Sequence, residues 1–243
     1  MDKVAIDLLG PIRLRIGGVH HPIRRERVRA LLTLLALHPG RTVPIDVMIE
    51  ALWNDDLPKD PVHAVHVYMC RLRSVHPALA VVVQTEPAGY SLNVAPELTD
   101  AARFESLASR AGVMLVADAA GACGLLSEAL ELWRGPAFGS LHYAEFLADA
   151  VARLDEQRLT AVEHSYEADI RLGNAQRVVP ELRRLVVEHP FRDRPTQLLV
   201  WALDASGRQA EALMTFRNYC QLIEGEFGVA PTITYADLVA AAL

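Results

Sequence analysis

A chain of 243 residues has room for one large or two ordinary domains, and its 51% hydrophobic content can fill a sizeable core. No apolar run approaches the ~20 residues of a membrane span, and MDKVAIDLLG lacks the cation-then-apolar pattern of a signal peptide, so a cytoplasmic protein with no membrane partner is expected. A net charge of −6 argues against the whole chain as a polyanion binder, but the charge is uneven. Residues 1–97 carry 11 Lys and Arg against 10 Asp and Glu, whereas residues 98–243 carry 13 against 20. Nucleic-acid binding rests on a local basic face, so the acidic second half does not exclude it. Cys70, Cys123 and Cys220 are far apart and odd in number, which fits a reducing compartment without a disulfide framework.

Residues 4–23 read as strands. VAIDLLG is a short apolar run, and Ile12, Leu14 and Ile16 alternate with Arg13 and Arg15 at the period of a half-buried strand. Gly17-Gly18 then closes a two-residue hairpin. Arg24–His38 reads as a helix with Val28, Leu31, Leu32 and Leu35 on its apolar stripe. Arg24, Arg25, Arg27 and Arg29 crowd its first turns, where cations oppose the helix dipole. A phosphate partner explains that cluster; a solvated basic end, partly offset by Glu26, is the competing account. Pro44–Trp53 reads as a second helix with Val47, Leu52 and Trp53 as core, and Asn54–Asp60 as a polar loop.

The third helix, Pro61–Pro77, is bracketed by prolines. Val65, Tyr68, Leu72 and Val75 share one side, bordered by Val62 and Met69. The other side holds His63, His66, Val67, Cys70 and Ser74, with Arg71 and Arg73 at its two edges. A solvated helix face mixes both charge signs; this one has no carboxylate. Cations at the rims suit phosphates, and small tips between them suit base edges in a major groove. Ala78–Thr85 and Tyr90–Val94 then read as strands about a turn at Glu86–Gly89. Three helices followed by a hairpin make a winged helix-turn-helix, in which the third helix enters the groove.

From Leu98 the sequence turns Ala- and Leu-rich and strand signals vanish. Helices are expected at 100–116, 118–133, 144–172, 176–188, 195–205, 208–226 and 234–243. Gly173 and Gly207 lie 34 residues apart, the tetratricopeptide period, and at the same offset Ala168 matches Ala202 and Leu182 matches Phe216. The expected fold is therefore mainly α. It has an N-terminal winged helix-turn-helix (residues 1–97: strands, three helices, a β-hairpin wing) followed by an all-α tetratricopeptide-like domain (residues 98–243). Trp133, Trp201, Phe216 and Tyr219 are read as its core.

The wording LLGPIRLRIGG, RALLTLLALHPGRTVPIDVMIEALW, AVHVYMCRLR and AGYSLNV, then EALELWRGPAF, EHPFRDRPTQLLVWAL, SGRQAEALMTFRNY and GEFGVAP, resembles the Streptomyces antibiotic regulatory protein (SARP) family. That family joins an OmpR-like winged helix to a bacterial transcriptional activator domain. The resemblance covers nearly the whole chain. It implies a transcriptional activator for one biosynthetic gene cluster, with double-stranded promoter DNA bearing direct repeats as one partner and the RNA polymerase holoenzyme as another. It also implies a dimer or side-by-side protomers on DNA, and a chain without the ATPase module of larger members. No GxxxxGK[ST] or GxGxxG is present. The sequence departs from the family pattern at His66, Cys70 and Ser74, which implies a different operator. It departs too at Glu86, an acid where the wing turn is often basic, and at Gly121, Cys123 and Gly124, which forecast a frayed helix start.

The expected DNA contacts are Arg71 and Arg73 to phosphate or bases, Val67 to a thymine methyl, and His66, Cys70 and Ser74 on the base-facing side. Arg27, Arg29 and Arg41 are further phosphate candidates, and Thr42 is expected to help satisfy backbone donors where the second helix starts. His63, His66 and Cys70 also share one face at i, i+3, i+7, a spacing that suits zinc or copper, but no fourth ligand is evident. No cofactor or metal is expected. No nucleophile elbow, HExxH or phosphate loop is present, so a non-enzyme is expected, with a DNA-independent helical-repeat scaffold as the alternative.

Overall fold

The structure, a computed structural model, describes residues 3–53 and 56–240. Asn54 and Asp55 of the expected loop, and residues 241–243 of the expected last helix, lie outside the described residues. The chain divides into two compact units, Met1–Ser106 with Ala129–Gln157, and Leu107–Glu128 with Arg158–Leu243.

In the first unit, β1 (Val4–Asp7), β2 (Arg13–Ile16) and β3 (Val19–His21) form an antiparallel sheet in that order. Gly17 and Gly18 join β2 to β3 with φ of 58° and 85°, the two positive values that a type I′ turn needs. The alternation in β2 is as read: Leu14 and Ile16 are buried, and Arg13 and Arg15 are exposed. Arg15 reaches back to Asp7 with Nε at 2.8 Å and Nη2 at 2.7 Å.

Helix α1 runs Glu26–Leu37, two residues later at its start than expected. Arg24 and Arg25 therefore precede the helix, and the carbonyl of Arg25 accepts from Val28 and Arg29. Strand β4 (Thr42–Pro44) leads into α2 (Ile45–Trp53). Thr42 is thus not at the helix start: it pairs with Ser91 across β4–β6, and the backbone N–H of Ile45 donates to the Ala88 carbonyl. Met48 is fully buried in α2 and Trp53 is also buried, while Val47 is 40% exposed and Leu52 half-buried. The helix turns a different face inward from the one its largest apolar residues suggested.

Helix α3 runs Pro61–Arg73, with Pro61 in its first turn and the Asp60 carboxylate accepting from the His63 backbone at 2.9 Å. Its buried residues are Val65, Met69 and Leu72, while Tyr68 and Val75 are half-buried and Val62 is exposed. The stripe is rotated toward Met69 relative to the sequence reading. After it, Pro77–Val82 is helical (α4), not extended, and only Val83–Glu86 forms the strand β5. His76 caps this short helix, its Nδ1 accepting from the Ala78 N–H at 3.1 Å, with Pro77 at the first position. Local capping overrides the β-branched run that follows. Strand β6 (Gly89–Leu92) returns, and the sheet order is β4-β6-β5. A Cβ at Gly89 would sit 2.0 Å from the Val43 carbonyl oxygen, so only glycine lets β4 approach.

Two distinctive stretches of sequence meet within this unit. Leu8–Pro11 lies against Arg134–Gly139: Arg134 N donates to Leu9 O at 2.8 Å and Phe138 N to Leu8 O at 2.7 Å. Side chains on Gly10 or Gly139 would meet Arg134 or Pro11 within 3 Å. Asp100, at the start of α5 (Asp100–Met114), accepts from Leu8 N at 2.5 Å and Leu9 N at 3.0 Å and pairs with Arg134 at 3.1 Å. Phe104 and Trp133 pack edge to face, 5.4 Å between centroids.

The remaining helices are α6 (Ala119–Glu131), α7 (Ala148–Arg171), α8 (Ala175–Glu188), α9 (Asp193–Ala205), α10 (Gln209–Phe227) and α11 (Tyr235–Ala240). A 3₁₀ turn at Glu145–Leu147 occupies the expected start of α7. The start of α6 is held rather than frayed: Asp118 Oδ1 accepts from Gly121 N at 2.8 Å. In the second unit the 34-residue offset extends to hydrogen bonds. Leu172 N donates to Ala168 O, Gly173 N to Ile170 O and Asn174 N to Asp169 O. Ser206 N to Ala202 O, Gly207 N to Asp204 O and Arg208 N to Leu203 O repeat them 34 residues later. Leu182, Leu198, Leu199, Ala202 and Ala212 form the core, with Phe216 packed against it.

Candidate nucleic-acid interface

Asp60 and Pro61 start α3, and Ser74 ends it by donating its hydroxyl to Arg71 O at 2.8 Å. Burial of Val65, Met69 and Leu72 fixes the rotation about the axis. His63, Cys70, Arg71 and Ser74 are therefore exposed, with Val67 half-buried among them. No carboxylate lies on this face. At the N-terminal end of α3 Asp60 is engaged in the cap, and on the wing Glu86 accepts the Ser91 hydroxyl at 2.9 Å, which turns the acid at the hairpin to a structural partner.

The two rim arginines differ. Arg71 is exposed, its guanidinium 5.2 Å from the Tyr68 ring centroid, and it has no ion pair among the described residues. Arg73 is half-buried and committed to the wing: Nε and Nη2 donate to Val83 O at 3.1 and 2.9 Å, and Nη2 donates to Thr85 Oγ1 at 2.8 Å. Its guanidinium also lies 5.3 Å from the Tyr90 ring centroid. His66 shares that edge, its Nδ1 2.6 Å from the Tyr90 hydroxyl. So His66, through Nδ1, and Arg73 tie α3 to β5 and β6 at the wing edge of this face, and His63, Cys70, Arg71 and Ser74 are exposed along the rest of it. Tyr90 is nearly buried, and that burial raises the pKa of its hydroxyl and keeps it protonated.

A second basic group extends from Arg71. Arg27 places its Nη1 3.5 Å from the Tyr68 hydroxyl and its guanidinium 5.5 Å from the Trp53 ring centroid. Arg71, Tyr68, Arg27 and Trp53 thus alternate cation and ring. Arg29 is turned inward, donating to Ile23 O at 3.1 Å. Arg41, just before β4, and Thr42, its first residue, are both exposed. Sequence reasoning missed Tyr90 and Tyr68 as the residues that hold the rims. The signal was present for Tyr90, because it sits between Gly89 and a buried Leu92 in a strand that has to face the helices. His63, His66 and Cys70 do not form a metal site: the described residues include no group of three or more His, Cys, Asp or Glu placed to hold an ion.

Residues 24–92 match the family "Transcriptional regulatory protein, C terminal", and residues 99–243 match the "Bacterial transcriptional activator domain". The transcriptional regulator RedD of Streptomyces coelicolor is 32% identical over 94% of this chain and 67% of its own length. The regulatory protein DnrI of Streptomyces peucetius is 33% identical over 93% of this chain and 87% of its own. A solved structure of Mycobacterium tuberculosis EmbR, in complex with a low affinity phosphopeptide, superposes with a TM-score of 0.90 at 29% identity. It covers 100% of this chain, which in turn spans 65% of that one. No helix among the described residues is long and apolar enough to cross a membrane. The chain belongs to the Streptomyces antibiotic regulatory protein family of transcriptional regulators, an OmpR-like winged helix joined to a bacterial transcriptional activator domain.

Proposed function

We propose that this protein is a sequence-specific DNA-binding activator of a secondary-metabolite gene cluster, with residues 1–97 reading DNA and residues 98–243 acting as the activator domain. Two protomers lie side by side on promoter direct repeats and help RNA polymerase engage. The observation that carries the reading is the open face of α3, exposed at His63, Cys70, Arg71 and Ser74, free of carboxylates, and held against the wing by Arg73. Side chains of that size and charge suit a major groove, with Arg71 at a phosphate and Val67 and Ser74 at base edges. Arg27 and Arg41 supply further phosphate contacts. The protein is cytoplasmic and works without a cofactor. The relatives RedD and DnrI, named as regulators, support the assignment.

The test is selection of duplexes from a randomised pool by the full chain. The full chain is the right sample because Asp100 and Arg134 hold Leu8 and Leu9 of the first unit. Enrichment of a repeated motif is expected. Absence of any enriched or retained duplex leaves the helical repeat as a DNA-independent scaffold.

A further inference from the structure

We infer that Tyr90 is a positioning residue for DNA reading: it locks His66 in the Nε2–H form, so that His66 presents a fixed hydrogen-bond donor to an acceptor on a base edge. The inference rests on the DNA-binding reading above and adds to it the polarity of one contact.

Two arrangements fit the contact, and the burial of Tyr90 favours one of them. His66 Nδ1 and the Tyr90 hydroxyl are 2.6 Å apart, so one donates to the other. If Nδ1 carried the hydrogen, the Tyr90 O–H would need an acceptor elsewhere. Tyr90 is 4% exposed, and the cation packed on its ring, Arg73, has only N–H donors. A buried hydroxyl proton without an acceptor is the costlier fault, because under-used lone pairs are tolerated better than orphaned donors. The tyrosine therefore donates to Nδ1. The neutral imidazole then carries its hydrogen on Nε2. His66 is half-buried at the wing edge of α3, and its remaining nitrogen is a donor. Purine N7, guanine O6 and thymine O4 accept such a bond in the major groove, and the amino groups of adenine and cytosine do not. A glutamine in the same place offers both a donor and an acceptor, so the Tyr90–His66 pair narrows what this position accepts.

The experiment uses the full chain labelled with ¹⁵N-histidine at about pH 8, above the ordinary imidazole pKa of ~6.5. Long-range proton–nitrogen spectra report the tautomer, and His66→Gln assigns the resonance by its loss. The expected result is an unprotonated Nδ1 and a protonated Nε2, with Tyr90→Phe collapsing this to an averaged signal. A parent chain with Nδ1–H, or a signal indifferent to Tyr90→Phe, overturns the inference. In parallel, Tyr90→Phe is titrated against duplexes enriched by the parent and against single-base-pair variants of them. Tyr90→Phe should lose about tenfold in discrimination at one base pair per protomer, with binding to a random duplex unchanged. A uniform loss on every duplex makes Tyr90 merely structural and overturns the inference. Failure of the parent to bind any duplex instead sinks the DNA-binding reading, and with it the base contact; the spectra would still decide the tautomer.

Discussion

Arg73 on α3 donates two hydrogen bonds to the single carbonyl of Val83 on β5, through Nε at 3.1 Å and Nη2 at 2.9 Å. In the proposed complex, where α3 and the hairpin would meet a duplex at different places, their spacing has to stay fixed, and this bond is one of the contacts that set it. Arg73→Ala should lower stability by about 1 kcal/mol, the value of a charged hydrogen bond discounted for partial exposure. Lysine, with a point charge instead of a fork, should not restore it. Thermal melts of the three chains check this. A stability unchanged in Arg73→Ala would mean that the clamp carries no weight.

Arg71 is the contrasting case. It is exposed and stacked on Tyr68, so Arg71→Ala should leave stability within about 0.5 kcal/mol of the parent. If it meets a phosphate, the slope of log affinity against log salt should fall by about one unit. Titration of one duplex across a salt series measures this. Parallel lines for mutant and parent would remove Arg71 from the phosphate contacts.

The winged-helix plan and the helical repeat were legible because each has a strong local signal. Gly17-Gly18 announced a hairpin, and both residues take positive φ. Gly173 and Gly207 announced the repeat, and the same three backbone bonds recur after each helix. The short helix α4 was not legible, because Ala78–Val82 lacks the length for a periodic pattern and its signal lies in the His76 cap. The site was half legible. The open face of α3 could be drawn from spacing, but which rim arginine is free depends on the wing folding back against it. Spacing along one helix carries no information on that. For the same reason LLGP and WRGPAF looked like separate signatures, although they are two sides of one contact that needs Gly10 and Gly139.

The repeat glycines give a paired prediction. Gly173 has φ of 82° and Gly207 of 75°, with no atom within 4 Å of an added Cβ at either. Alanine there is opposed by backbone conformation alone, so Gly173→Ala and Gly207→Ala should each cost about 1 kcal/mol. Chemical denaturation checks both. A large difference between the two would contradict their structural equivalence.

Acid sensitivity of the helical unit should trace to Glu167. Burial opposes its ionisation, but hydrogen bonds from Arg171 and the charge of Arg194 outweigh burial and hold its pKa below the ordinary value. A carboxylate whose folded pKa is lowered adds stability above its unfolded pKa and loses it as pH falls through the folded one. Glu167→Gln should therefore be less stable than the parent at pH 7. The gap should shrink as pH falls below about 4.3, the unfolded value. Melts of both chains from neutral to acid pH measure it, and a gap that widens in acid would reverse the assignment.

The most direct test of the account is methylation interference on a duplex enriched by the full chain. Methyl groups at guanine N7 lie in the major groove, and those at adenine N3 lie in the minor groove. With α3 seated in the major groove, N7 methylation at the repeated motif should block binding, in two patches about one helical turn apart for two protomers. Binding indifferent to N7 methylation, or blocked by N3 methylation alone, would contradict it.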